Sequence, residues 1–165
     1  MKRLLLVLII ALLPALAFAD LQIGAVGIYN GNITAVASSP QSTNNFTFGG
    51  EARLKIWIIQ GGLTALYYPS SSGNQIVALT DIGVSLDVLF LRFGAGIGPD
   101  FAFPVSGSAP QPSNVGMNLK FSGEIKLGGL SLGLVGFYYF DSLSNIGNVF
   151  GNLPSIGATI MIRLF

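Results

Sequence analysis

The 165-residue chain has no cysteine and no histidine, and only 9% of its residues are charged. Without cysteine there are no disulfides, no thiolate metal site, no thiol nucleophile and no acylated N-terminal cysteine anchor. Without histidine the commonest general base and the commonest metal ligand are missing together. Helical patterning is also scarce, since no stretch sustains a 3.6-residue period. After the first twenty residues no apolar run is long enough to cross a membrane as a helix. Apolar residues are abundant, at 51% of the chain, and so is glycine, at 22 residues. The mean hydropathy of +0.67 is high for a soluble protein of this size.

The chain starts MKRLLLVLIIALLPALAFAD. Lys2 and Arg3 form a basic start, Leu4 to Leu13 an apolar run, Pro14 a break, and Ala17-Phe18-Ala19 an A-x-A site. This predicts a secretory signal peptide over 1–19, cut after Ala19, and a mature domain over 20–165. The bland alternative is an uncleaved anchor, but the apolar run is short for a span.

The rest of the chain alternates with period two. From Phe46, one face carries Phe46, Phe48, Gly50, Ala52, Leu54 and Ile56, and the other Thr47, Gly49, Glu51, Arg53 and Lys55. In Asn118–Leu127, NLKFSGEIKL, the polar members Asn118, Lys120, Ser122, Glu124 and Lys126 take every second place. Three segments, KIWIIQGG, DVLFLRFG and KLGGLSLG, share one plan: polar, apolar, two turn residues, apolar, polar, then a glycine two places on. They predict two-residue hairpin turns at Trp57-Ile58, Leu89-Phe90 and Gly128-Gly129, of which only the last has favourable turn chemistry. Longer connections rich in Ser, Asn, Gly and Pro lie at 30–45, 69–75, 99–114 and 141–154. The count is eight strands, 21–29, 46–56, 59–68, 76–88, 91–98, 115–127, 130–140 and 155–165. Short turns lie at one end and long connections at the other.

After the signal, the bases are Arg53, Lys55, Arg92, Lys120, Lys126 and Arg163, all on polar faces, as are Glu51, Asp81, Asp87 and Glu124. Asp20, Asp100 and Asp141 fall at expected strand ends. The apolar faces carry no charge. A soluble lipid-carrying barrel would turn its charges outward, whereas a membrane barrel turns them into its lumen. A soluble surface is about a quarter to a third charged, and ten polar-face charges cannot supply that. Glycines on the polar face suit a narrow interior. Aromatics cluster by the long connections (Tyr29, Phe46, Phe48, Tyr67, Tyr68, Tyr138, Tyr139, Phe140) and by the turns (Trp57, Phe90, Phe93, Phe165), as two interfacial girdles would. The expected fold is therefore all-β: an eight-stranded antiparallel up-and-down transmembrane barrel behind a cleaved signal peptide, with a ten-residue charge network inside.

Signal, eight alternating strands, one-sided long connections and a terminal Phe165 resemble the small outer-membrane barrels of Gram-negative-type bacteria, the OmpX, OmpW and OmpA-domain group. The end, SIGATIMIRLF, is similar to their assembly signal through Gly157, Ile160, Ile162 and Phe165, and departs from it at Arg163. The resemblance implies residence in the outer membrane, contact with its lipids and its assembly machinery, and a monomer. The enzymes of this barrel type, lipid A acylases and deacylases and omptin proteases, need a catalytic histidine that is absent here. GAGIG at 94–98 lacks the spacing of a phosphate loop and no helix follows it. No catalytic residue, cofactor, metal site or nucleic-acid partner is expected. Three functions stay open: a structural barrel presenting loops to an extracellular ligand, a narrow channel for small or hydrophobic solutes, and a soluble periplasmic lipid carrier. Ion pairs are expected to plug the lumen, with room left near strands 59–68 and 91–98. Phe101, Phe103 and Val105 are expected in a loop, as an apolar lip or an interfacial dip.

Overall fold

A computed structural model describes residues 19–30, 45–69, 74–105, 114–149 and 154–164. The strands are β1 (Ala19–Tyr29), β2 (Phe46–Ile56), β3 (Ile59–Tyr68), β4 (Gln75–Val88), β5 (Leu91–Pro104), β6 (Asn114–Leu127), β7 (Leu130–Phe140) and β8 (Ser155–Arg163). Each pairs antiparallel with the next, and β8 closes on β1, so the sheet is a closed barrel without an edge.

The three tight turns have two residues each, with Ile56 opposite Ile59, Val88 opposite Leu91 and Leu127 opposite Leu130. Trp57, Leu89 and Gly128 take positive φ of 58°, 56° and 68°. In each turn the second residue keeps negative φ, the II′ rather than the I′ pattern. The carbonyls of Ile58, Phe90 and Gly129 accept the backbone N–H groups of Ser85, Lys126 and Arg163 at 2.7, 2.7 and 2.8 Å. Each turn is thus bonded to the strand beyond its own hairpin, and the shared plan of the three segments becomes one repeated register.

Strand 91–98 was expected to stop at Pro99, but β5 runs on to Pro104. A proline removes one N–H from a ladder without preventing the strand from resuming. The β4–β5 ladder lapses between the pairs Leu79–Asp100 and Ile82–Ile97. There the buried Asn118 amide donates to the carbonyls of Gly98, Thr80 and Pro99 at 2.9, 3.1 and 3.3 Å. Phe101 and Phe103 therefore belong to a strand, opposite Ala78 and Ile76, rather than to a loop. Regular strand ends at Arg163 rather than at 165, although Leu164 N–H still reaches Leu21 O at 2.8 Å. The signal segment 1–18 and Phe165 lie outside the described residues.

Alternation is kept all round the wall. Outward positions include Phe48, Ile82 and Leu134, each about two-thirds exposed (64, 65 and 66%). Inward positions hold the buried polar residues. Tyr68 and Tyr139, expected in an outer girdle, share the inward parity, and their hydroxyls lie 3.4 Å apart.

Candidate functional site

The lumen is built in layers. Nearest the short turns, Asp87 sits opposite Arg92 and accepts from Arg92 Nε at 2.8 Å and Lys55 Nζ at 2.8 Å, with Lys126 Nζ at 3.3 Å. Asp20 accepts from Arg92 and takes both Arg163 Nε and Nη2 at 3.0 Å. Asp20 was expected only at a strand end, next to the cleavage site. It lies inside because it shares the parity of Gln22 on β1, and that parity was the signal that could have found it. Arg163 is on the lumen side but at the rim, its side chain half exposed.

Above lies a drier cluster. Glu51 accepts from Arg53 and Lys120, Arg53 also donates to Glu124, and Lys120 Nζ is 3.3 Å from Asp81. All five side chains are almost wholly excluded from water. Space was expected beside strands 59–68 and 91–98, where inward glycines recur. Asp81 fills it: a Cβ at Gly62 or Gly96 would come within 2.4 or 2.8 Å of its carboxylate. The structure thus brings all ten expected lumen charges into two groups that share no ion pair, with Asp20 as an eleventh member.

The alternation puts Val77 and Leu79 on the polar face with Asp81 but does not reveal the apolar layer they belong to. Val26, Ile28, Leu66, Leu79, Val135 and Phe137 form a buried apolar cluster inside the barrel, with Tyr68 and Val77 packed against it. Lys120 Nζ stands 5.7 Å from the centre of the Phe137 ring, where the charged and apolar layers meet. Above this, at the long-connection end, is a hollow of about 370 Å³ lined by Asn30, Tyr68, Val77, Asp100, Ala102, Tyr139 and Ser155. Two other hollows, about 500 and 400 Å³, are lined largely by outward residues such as Gly123 and Gly136 in one and Gly61 and Leu63 in the other. Of the residues expected to form an assembly signal, Ile160 and Ile162 stand exposed on the outer wall and Gly157 faces in, where a Cβ would meet Gly27 O. Among the described residues no three acidic side chains gather as a metal site would require.

Fold and lumen together define a class: a closed eight-stranded barrel with its charges inside and an uncharged apolar wall outside. No protein-family model and no curated protein matches the chain. Among solved structures the chain is similar to Neisserial surface protein A (NspA), as seen in its crystal structure. That likeness covers 88% of this chain and 95% of the other, at 11% identity and a TM-score of 0.47.

Proposed function

We propose that the chain is an integral outer-membrane barrel, working as a rigid surface scaffold that presents its long connections to the outside. In this reading it has no catalytic role, no cofactor and no nucleic-acid partner. The observation that carries the reading is the inverted wall. Every lysine and arginine in the barrel points into the lumen, while residues such as Phe48, Ile82 and Leu134 face out unaccompanied by charge. In water such a surface would be an aggregation hazard, whereas in hydrocarbon it is the stable arrangement. Closure satisfies the backbone without water. The strands, nine to fourteen residues long, meet the about 9–11 needed to span when tilted.

A soluble lipid carrier would need the opposite wall. The filled lumen, with ion pairs below and an apolar layer above, favours the scaffold over a solute channel. The absent sheet edge favours a monomer, with membrane lipids as the outer partner and the loops available to an extracellular ligand. Gly157, Ile160, Ile162 and Phe165 serve as the docking signal for the assembly machinery, and residues 1–19 direct secretion. In fractionated cells the mature protein is expected with the outer membranes, resistant to alkaline carbonate and released only by detergent. Recovery as a soluble periplasmic monomer would overturn the reading.

A further inference from the structure

The two ends of the barrel are electrically unlike. Every lysine and arginine after Arg3 lies in the two ion clusters, toward the short turns. At the other end, residues 30–45, 69–75, 99–114 and 141–154, which are the long connections with the adjoining ends of β4, β5 and β6, contain no lysine, arginine or histidine, and their only charges are Asp100, on β5, and Asp141. Asp100 stands in the wall of the hollow at that end. It is held there by the Gly116 N–H, which donates to Oδ1 at 2.8 Å. Gly116 itself makes the room, because a Cβ there would come 2.6 Å from the same oxygen. The carboxylate is thus seated in the lumen mouth with no cationic side chain paired to it among the described residues.

Its neighbours have a consistent chemistry. The phenols of Tyr68 and Tyr139 line the hollow, with Val77 beneath as part of the apolar layer. Tyr139 is fixed by stacking on Phe137 at 6.2 Å and 10°. Asn30 is tied to the wall by donating to Thr47 Oγ1 at 2.7 Å. One carboxylate, two electron-rich rings and an apolar floor suit a cation that is itself partly apolar, since aromatic faces and a carboxylate both attract a weakly hydrated positive charge. Calcium and magnesium ions take six or more oxygen ligands, and among the described residues no three metal-ligating side chains gather there. The volume, about 370 Å³, also falls in the range of small-molecule sites, roughly 300–1,000 Å³.

We propose that the long-connection mouth of the lumen is a binding site for a small organic ammonium ion, with Asp100 as counter-ion and Tyr68 and Tyr139 as its aromatic walls. The site depends on the mouth geometry and not on which membrane holds the barrel, so its failure and that of the membrane reading are separate results. The test is titration of the refolded full barrel in maltoside micelles, whose head group carries no ammonium, with choline and with its neutral isostere 3,3-dimethyl-1-butanol, followed by calorimetry and NMR. Saturable choline binding is expected, at least about tenfold tighter than for the isostere. It should weaken by a similar factor in Asp100→Asn and Tyr139→Leu, and hold within a few-fold in Asp100→Glu and in the rim variant Asp141→Asn. Gel mobility of unheated samples reports folding. If Asp100→Asn does not refold, the isostere comparison on the wild-type barrel decides. No saturable binding, equal binding of the neutral isostere, or full binding by folded Asp100→Asn would overturn the site.

Discussion

Five carboxylates and six cations share the two ion clusters of the lumen in unequal lots. The inner cluster has three acids, Glu51, Asp81 and Glu124, against two bases, Arg53 and Lys120. The cluster near the turns has two acids, Asp20 and Asp87, against four bases, Lys55, Arg92, Lys126 and Arg163. Removing the scarcer sign strands charges that nothing else neutralises, which costs about 3–5 kcal/mol in a dry interior. Arg53→Gln is expected to cost that much, because it leaves Glu124 with no base. Glu124→Gln is expected to cost less, about 1–3 kcal/mol, because Arg53 keeps Glu51 and the amide oxygen still accepts, while the new NH2 replaces Glu124 Oε2, which has no partner among the described residues. Near the turns the sign reverses. Asp87→Asn should cost about 1–3 kcal/mol, discounted because water reaches that side chain, and Lys126→Gln should cost little. Urea unfolding of the refolded variants in micelles checks the ranking. Equal losses for acids and bases within one cluster would remove the asymmetry.

The hairpins show which features of an element its sequence carries. Trp57 and Leu89 hold positive φ without being glycine, a conformation that costs roughly 1–2 kcal/mol per residue. Both are exposed, by 77 and 86%, so packing against the protein does not hold them there. The register does, through the bonds from Ser85 and Lys126 to the turns. Leu89→Gly is therefore expected to raise unfolding stability in micelles by about 1 kcal/mol, after the extra freedom of the unfolded chain is subtracted, and Gly128→Ala to lower it by a similar amount. A loss of stability in Leu89→Gly would mean that the side chain, not the backbone, sets the turn. These turns were legible because polar Lys55, Asp87 and Lys126 repeat at one offset, even where the turn residues themselves argue against a turn. The extension of β5 was not legible, because Pro99 reads as a stop until Asn118, distant in sequence, is seen covering the lapse. Nor was the apolar layer. Val26, Leu66 and Phe137 share the inward parity of Gln22, Thr64 and Ser131, but they are the same residue types as those on the outer wall, so at that level both faces read as apolar and the alternation does not show. The ten charges were legible as a face, but not their division into two groups, since Arg53 meets Glu124 across the barrel rather than along a strand.

For the whole molecule the question is whether anything passes through it. Eight strands enclose a space that side chains just fill. Along the axis an ion would meet the turn-side cluster, then the dry one, then Val26, Ile28, Leu66, Leu79, Val135 and Phe137. The apolar layer resists wetting, as hydrophobic constrictions do in channels, and the dry cluster replaces water by direct pairs. Barriers in series are governed by the higher one, so thinning one layer leaves the other closed. Refolded wild type in a planar bilayer is expected to show no steady stepwise conductance, and so is Leu79→Ala/Phe137→Ala, in which Arg53, Glu51 and Glu124 still fill the section below. Adding Arg53→Ala and Glu124→Ala, which removes one cation and one anion together, is expected to give discrete openings, provided the quadruple variant keeps wild-type gel mobility. Reproducible steps from the unmodified barrel, with ion selectivity reversed by Lys120→Glu, would instead identify a conducting path and replace the scaffold by a channel.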